Sequence, residues 1–377
     1  MSRSQLRSKG TVGPVVNVPN RLSRPWRSRD RVIAVRARRL QCIAVAMVSV
    51  VARFASAQSR VVTRVPDIIG ATDIAASTNQ SGAEWGCATF GNGDWRCFEW
   101  SRISSTVRTL ATLPGSSLRP SADHRFTRIQ PSDQHGCGIE TSGRVRCWGT
   151  GYAGATGVGD IQDVNTSTHP RRLEHIVSLA IDFRANLSID ASGAVWFWGE
   201  DTYSLIAGGN QFVPLRIRAI TDAVDGALSA GGACVARREG SVWCWGSNAD
   251  GQLGDGTTVG RAIPAAISGL SGVVAVSGGE LGTMCVRTSE GHVFCWGGTA
   301  HTGTHAEQVR LPVNAVQVDV GVRTACAVGS DGRAYCWPAG SIPTTPVTPY
   351  GALSDVRRVA IGDHTIFLLR ADGSVWQ

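Results

Sequence analysis

Cys234-Val-Ala-Arg-Arg-Glu-Gly-Ser-Val-Trp-Cys244 reads as two short strands joined by a tight turn. Apolar residues alternate on both sides of a polar centre, the pattern of a half-buried hairpin. A three-residue loop, Arg238-Glu239-Gly240, needs a left-handed residue at its last position, and Gly240 supplies it. With that loop, Ala236 faces Val242, Val235 faces Trp243 and Cys234 faces Cys244. Counted out from the turn, the cysteine site is a non-hydrogen-bonded pair, where side chains approach most closely. A cross-strand disulfide is therefore expected.

The same interval recurs along the chain. Cys87 is followed at this spacing by Cys97, Cys137 by Cys147, Cys285 by Cys295 and Cys326 by Cys336. Each pair has Gly six positions after its first cysteine (Gly93, Gly143, Gly291 and Gly332). Two further segments keep the glycine and lose both cysteines together: Leu187 with Phe197 around Gly193, and Phe367 with Gln377 around Gly373. Recurring small buried hydrophobes are the competing reading, but cysteines that disappear only in pairs behave as bonded partners. Nine intervening residues match no short zinc spacing.

Taken unit to unit, the first position of each hairpin is offset by 50, 50, 47, 51, 41 and 41 residues. Self-similarity at this period marks a repeat architecture. Each unit has an alternating strand such as Val273-Val-Ala-Val-Ser-Gly278, the hairpin, Trp-Gly and a Gly-rich loop, with almost no helical periodicity. The expected fold is all-β: a seven-bladed β-propeller of four-stranded blades with a hairpin disulfide inside each cysteine-bearing blade, spanning residues 58–377. The last unit stops at Gln377: either Arg60–Val65 pairs with the final blade and closes the ring, or the chain is a truncated product with a weak seal.

Stable disulfides require an oxidising compartment. Arg36, Arg38 and Arg39 precede an apolar run, Cys42–Ala52, followed by Ala55-Ser56-Ala57. This is the order of a signal peptide, with cleavage expected after Ala57. Residues 1–57 therefore read as a basic extension plus signal peptide, and cleavage would also remove Cys42, the unpaired cysteine. About forty residues precede the run, so either translation starts downstream of Met1 or residues 1–35 form an extension. The run is too short to span a bilayer. The expected location is secreted, periplasmic or at the cell surface, with no transmembrane segment after leader removal.

The formal charge of +8 is carried by the leader, which holds twelve Lys and Arg against one acidic residue. Residues 58–377 hold twenty-five Arg and twenty-eight Asp and Glu, so no basic surface excess for nucleic acid is expected.

The stretch Cys234 to Thr258, with Cys-Trp-Gly-Ser-Asn-Ala-Asp-Gly-Gln-Leu-Gly-Asp-Gly-Thr-Thr at its end, resembles a repeat of the regulator of chromosome condensation family. The Val-x-x-Val-x-x-Gly strand before it fits as well. The resemblance extends over about residues 60–377, with drifted loops in other units, Pro338 in place of Gly and Phe98 in place of Trp. It implies a seven-bladed propeller whose members mainly bind macromolecules. Nuclear members act as nucleotide-exchange factors and bind chromatin, whereas the leader and cysteines make secreted bacterial members the closer analogy.

No G-x-S-x-G elbow, H-E-x-x-H or P-loop is present, and the single lysine, Lys9, lies in the leader. No catalytic residue, metal site or cofactor is expected. Asn248-Ala-Asp250-Gly251 lacks the later acidic ligands of a calcium loop and reads as a turn. Asn79, Asn165 and Asn186 open glycosylation triplets. Trp148, Trp198, Trp245, Trp296 and Trp337 could line a sugar groove, but recurrence at one blade position favours packing between blades.

With strands lettered A to D from the Val-x-x-Val strand, A–B and C–D loops share one face and tight B–C turns the other. The expected binding face carries Trp85, Tyr152, Arg184, Tyr203, Asp250, Asp255, Glu280, His301, His305, Arg323 and His364. Glu84 and Asp160 belong to the same loops. The expected function is an exported, monomeric binding module for a protein partner. The alternatives are a propeller enzyme acting on polysaccharide through loop carboxylates, or a nucleotide-exchange or chromatin role by family analogy.

Overall fold

A computed structural model describes residues 62–377, apart from 78–82, 102–105, 111–123, 133–134, 184, 202–208 and 300–302. The expected leader, residues 1–57, lies outside the described residues, as do Asn79, Arg184, Tyr203 and His301. The described residues form seven antiparallel sheets, all within the compact unit Ala57–Gln377.

Each sheet is one blade, and its strands follow sequence order from the centre outward. The innermost strands are Ala71–Ser77, Phe126–Pro131, Ile176–Asp182, Ala223–Ser229, Val273–Gly278, Ala315–Val320 and Val356–Ile361. Together they line a central channel. Five blades have four strands, while blades 6 and 7 have three. In blade 6 the outer segment carries Pro343, Pro346 and Pro349, which lack the N–H a ladder needs, and its β-pairing with its neighbour is reduced to the isolated Tyr335–Pro349 bridge. In blade 7 the fourth position is filled by the first described residues. Thr63 and Gln377 exchange two backbone hydrogen bonds of 2.9 Å, and Val65 N–H donates to the Val375 carbonyl at 2.8 Å. The ring is closed by this segment.

The hairpins have the register read from sequence. Cys234 pairs with Cys244, Val235 with Trp243 and Ala236 with Val242. All five expected disulfides are present, each across the two strands of its hairpin, the second and third of the blade. Cys87 is bonded to Cys97 in blade 1 and Cys137 to Cys147 in blade 2. Cys234 is bonded to Cys244 in blade 4, Cys285 to Cys295 in blade 5 and Cys326 to Cys336 in blade 6. Their Cα–Cα distances are 4.0 to 4.2 Å, as close as opposed non-hydrogen-bonded residues come. Gly240 has φ +88° and donates its N–H to the Arg237 carbonyl at 2.8 Å. A side chain here would be strained by φ, and its Cβ would lie 2.6 Å from the Gly272 backbone nitrogen of the next blade.

That close approach reflects a contact repeated seven times. The carbonyl of each turn glycine accepts the N–H of the first inner-strand residue of the following blade: Gly93 from Phe126, Gly143 from Ile176, Gly193 from Ala223, Gly240 from Val273, Gly291 from Ala315, Gly332 from Val356 and Gly373 from Ala71, at 2.8 to 3.0 Å. The glycine that shapes a hairpin also joins it to its neighbour.

The tryptophans fill the remaining space between blades. Trp148, Trp198, Trp245 and Trp296 are 0 % exposed and Trp337 is 2 % exposed. Each packs with hydrophobic residues of the preceding blade: Trp245 beside Leu187 and Phe197, Trp296 beside Cys234 and Cys244. Buried this deeply, they cannot line a sugar groove. In blade 1, Phe98 holds the position and meets Phe367 of blade 7 edge to face at 5.1 Å. Asn186 is also fully buried, with its amide donating to the Ala155 carbonyl at 3.0 Å, so its triplet is no glycan acceptor in the folded protein.

The inner strands share one irregularity. In every blade the second residue is a bulge, skipped by the pairing register: Thr72, Thr127, Val177, Val224, Val274, Val316 and Arg357. All seven are exposed, at the end of the channel nearest the B–C turns. A bulge re-aims the residue that follows it, and those third residues form a polar belt, described below.

Candidate binding face and central channel

The two faces of the propeller differ in construction. On the B–C side the turns are short and bound to the next blade. Asp222 grips Arg237 through two hydrogen bonds of 2.7 and 3.0 Å, and the guanidinium stacks 4.7 Å from the Trp243 ring. Asp355 and Arg370 repeat the arrangement in blade 7 at 2.9 and 3.0 Å. On the other side the A–B loops are short, while the C–D loops of blades 2 to 5 are longer and differ from blade to blade.

The best-formed of these loops is 247–260 in blade 4. Asn248 is buried and organises it: its Nδ2 donates to the carbonyls of Thr257 and Val259 at 3.0 and 3.2 Å, and its Oδ1 accepts Leu253 N–H at 2.9 Å. The Asn248-Ala-Asp250-Gly251 segment is thus a turn, and no metal-binding cluster occurs among the described residues. Asp255 is half-buried and accepts from Thr257 Oγ1 at 2.8 Å and Arg261 Nη1 at 2.8 Å. Burial opposes the charge, yet these donors hold its carboxyl below the ordinary range. Asp255 therefore holds its own loop together. It also lies beside His305 of blade 5 through a backbone bridge, where Gly256 N–H donates to the Thr304 carbonyl at 2.8 Å. The Asp250 carbonyl accepts Gly298 N–H at 3.1 Å, so the loops of blades 4 and 5 touch twice.

A second group forms across blades 6, 7 and 1. Arg323 pairs with Asp363 at 3.1 Å, His364 Nδ1 lies 2.8 Å from Asp363 and 3.4 Å from Glu84, and Glu84 accepts the His364 N–H at 3.0 Å. Glu84 belongs to the strand Ala83–Phe90 and is 1 % exposed, so it is a joint between the first and last blades rather than a loop residue. Trp85 follows it in the strand and is half-buried. Tyr152, Asp160, Glu280, His305 and Arg323 are exposed on this face, joined by Ile161, Val259 and Leu281. The structure thus brings Asp255 with His305 and Arg323 with His364, each across a blade boundary.

Sequence reasoning missed the channel. Its belt consists of the third inner-strand residues, Asp73, Arg128, Ser178, Asp225, Ala275, Gln317 and Arg358. Asp73 bridges Arg358 at 2.7 Å and Arg128 at 3.4 Å, tying blades 7, 1 and 2. Asp225 accepts Ser178 Oγ at 2.9 Å and Val276 N–H at 3.0 Å, tying blades 3, 4 and 5. Gln317 Oε1 accepts Val359 N–H at 3.0 Å, and Asp319, two residues on, accepts Ile361 N–H at 3.0 Å and Ser277 Oγ at 3.2 Å. These polar side chains join inner strands that share no ladder. Aligning the seven Val-x-x-Val segments would have exposed the column.

A closed ring of seven hairpin-bearing blades, with variable loops gathered on one face, defines a seven-bladed repeat propeller. Residues 239–286 and 224–252 match the regulator of chromosome condensation (RCC1) repeat. It is 27 % identical over 244 residues to the ultraviolet-B receptor UVR8 of Arabidopsis thaliana, covering 58 % of this chain and 54 % of the receptor. It is 28 % identical over 191 residues to the E3 ubiquitin-protein ligase HERC2 of Homo sapiens, covering 47 % of this chain and 4 % of the ligase. The chain thus spans about half of the first relative and a small part of the second. Among solved structures, yeast RCC1 (Prp20) bound to Kap60 superposes with a TM-score of 0.61 at 16 % identity, over 81 % of this chain and 79 % of that one. Human WBSCR16 superposes with a TM-score of 0.54 at 18 % identity, over 69 % and 70 %. At these identities the likeness establishes the fold.

Proposed function

We propose that the protein is an exported binding module that recognises a protein partner through the A–B and C–D loops. The observation that carries this reading is the asymmetry of the faces. Every B–C turn is tied to the next blade, whereas the opposite loops vary in length and expose mixed aromatic, aliphatic and charged side chains. Variable loops on a rigid scaffold are a common basis of recognition. The similar proteins carry names as different as receptor and ubiquitin ligase, which fits a propeller used as a scaffold. Against polysaccharide chemistry, the channel carboxylates Asp73, Asp225 and Asp319 are each held by donors of the protein itself. Five disulfides fit an oxidising compartment outside the cytoplasm. No helix among the described residues is long and apolar enough to cross a membrane. The leader read in residues 1–57 supplies the route of export.

The test is to capture partners from the envelope and medium of the source cells with the full chain, then measure the affinity of each for variants. Tyr152→Ala, Glu280→Arg and Arg323→Glu on the loop face are expected to weaken binding at least tenfold. Glu239→Lys and Asp331→Lys on the turn face should leave it unchanged. The opposite result would move the interface to the other side of the propeller.

A further inference from the structure

The channel belt has a surplus that its structural role does not use. Blade 5 has Ala275 at the belt position, and Arg287, its register partner on the adjacent strand, lines the cavity there. Three guanidiniums, Arg128, Arg287 and Arg358, therefore line one cavity of about 300 Å³. Each carries five N–H donors, and each makes a single polar contact among the described residues. Arg128 Nε meets Asp73 at 3.4 Å, Arg358 Nε meets Asp73 at 2.7 Å, and Arg287 Nη1 donates to the Thr288 carbonyl at 3.1 Å. The acceptors at this level are in the opposite condition. Asp73 also takes the Ile74 N–H at 2.9 Å, and Asp225 takes two donors from neighbouring blades. At the belt level three cations thus face two carboxylates, and most of the guanidinium N–H groups have no protein acceptor among the described residues.

We propose that this arginine layer binds a small oxyanion, a phosphate, sulfate or carboxylate group, in the central channel. Guanidinium matches such groups through paired N–H donors in a planar fork. A volume of about 300 Å³ lies at the lower end of ligand pockets, roughly 300–1,000 Å³. The approach is from the turn face, past the exposed bulge residues Val177, Val224, Val274 and Val316. Burial lowers the pKa of Arg358 and Arg287 more than the nearby carboxylates raise it, so both cations are under-compensated. The remaining acidic groups lie further along the channel toward the loop face. Asp319 and Asp182 are two and four residues beyond the belt, about 6 to 13 Å along their own strands, with Asp319 still interacting electrostatically with Arg358, and Glu280 follows in the next loop. Burial pushes the Asp182 and Asp319 carboxyls up, favouring their uncharged forms. The site is on the side away from the proposed protein interface and does not depend on it.

The test is isothermal titration of sodium phosphate, and separately sodium acetate, into the full-length disulfide-bonded protein at matched ionic strength. At least one anion should bind at a single saturable site, with acetate alone, phosphate alone or both identifying the preferred geometry. Arg128→Gln and Arg287→Gln should each weaken it at least tenfold. Ala275→Asp, which places a carboxylate among the guanidiniums, should abolish binding without lowering the thermal midpoint, and it decides the matter if an arginine variant fails to fold. Absence of saturable heat with either anion, or binding unchanged in Ala275→Asp, overturns the site.

Discussion

The Gly373 carbonyl accepts the Ala71 N–H at 3.0 Å, making the last blade's turn the support of the first blade's inner strand. Six other turn glycines do the same for their neighbours, so the contact that closes the ring is the one that builds it. A propeller made this way is stabilised by joints between blades as much as by the blades.

Substituting one of those glycines tests the joint. Gly240→Ala combines a left-handed backbone costing about 1–2 kcal/mol for a side-chain-bearing residue with a Cβ that meets the Gly272 backbone. A loss of at least about 2 kcal/mol is expected, read as a lower urea midpoint. A variant as stable as the wild type would show that the joint tolerates a Cβ.

The disulfides can be weighed singly. Replacing Cys234 and Cys244 together by Ala frees a loop of nine residues between them, and loop-closure entropy puts the loss near 3 kcal/mol, to order of magnitude about that of a short loop. Equilibrium unfolding of the double variant, without reductant, measures it. Mass mapping of the unreduced wild type should link Cys87 to Cys97, Cys137 to Cys147, Cys234 to Cys244, Cys285 to Cys295 and Cys326 to Cys336, and no other pair.

Acid should weaken the fold through His135. The side chain is fully buried, its ring nitrogen is 3.0 Å from Asn186 Oδ1, and burial pushes its pKa down to about 4, outweighing that hydrogen bond. The unfolded chain takes up this proton near pH 6.5, and the folded chain only near pH 4. Between those values the unfolded state binds more protons, so stability is complete above pH 6.5 and falls as pH drops toward 4. The loss amounts to about 3 kcal/mol. Urea midpoints at about pH 7.5 and about pH 4.5 should differ accordingly, and His135→Gln should flatten the difference.

Asp73 is the anionic half of the seam between blades 7, 1 and 2. Asp73→Asn leaves Arg358 and Arg128 without their shared carboxylate. The groups are partly hydrated, with side chains 16 to 30 % exposed, so the loss should fall below the roughly 3–5 kcal/mol of a fully buried pair, at about 2 kcal/mol. A thermal midpoint unchanged by the substitution would assign the seam no role in stability.

Much of this architecture was legible because it is local. Hairpin register follows from a nine-residue interval and a glycine, as Cys234 and Cys244 show, and the repeat period fixes the number of blades. The role of the tryptophans was legible too, since a residue recurring at one position in every blade meets the same neighbour each time. The three-stranded blade 6 could have been read from Pro343, Pro346 and Pro349. The expected loop residues Asp255 and Glu84 fared less well. A carboxylate in a loop looks available in sequence, but Asp255 is held by Arg261 and Thr257, and Glu84 is buried against His364. Those partners lie on turns and strands whose approach depends on how the chain folds back.

By itself the chain determined its strands, its turns and its sulfur pairings, because these depend on residues within a dozen positions of each other, and its sevenfold repetition, because that local pattern recurs along it. Only tertiary structure decided which side chains meet around the axis. Asp73 and Arg358 are separated by most of the propeller in sequence and lie 2.7 Å apart. Closing a ring places its first and last blades side by side, and no local pattern records which charges will then face one another.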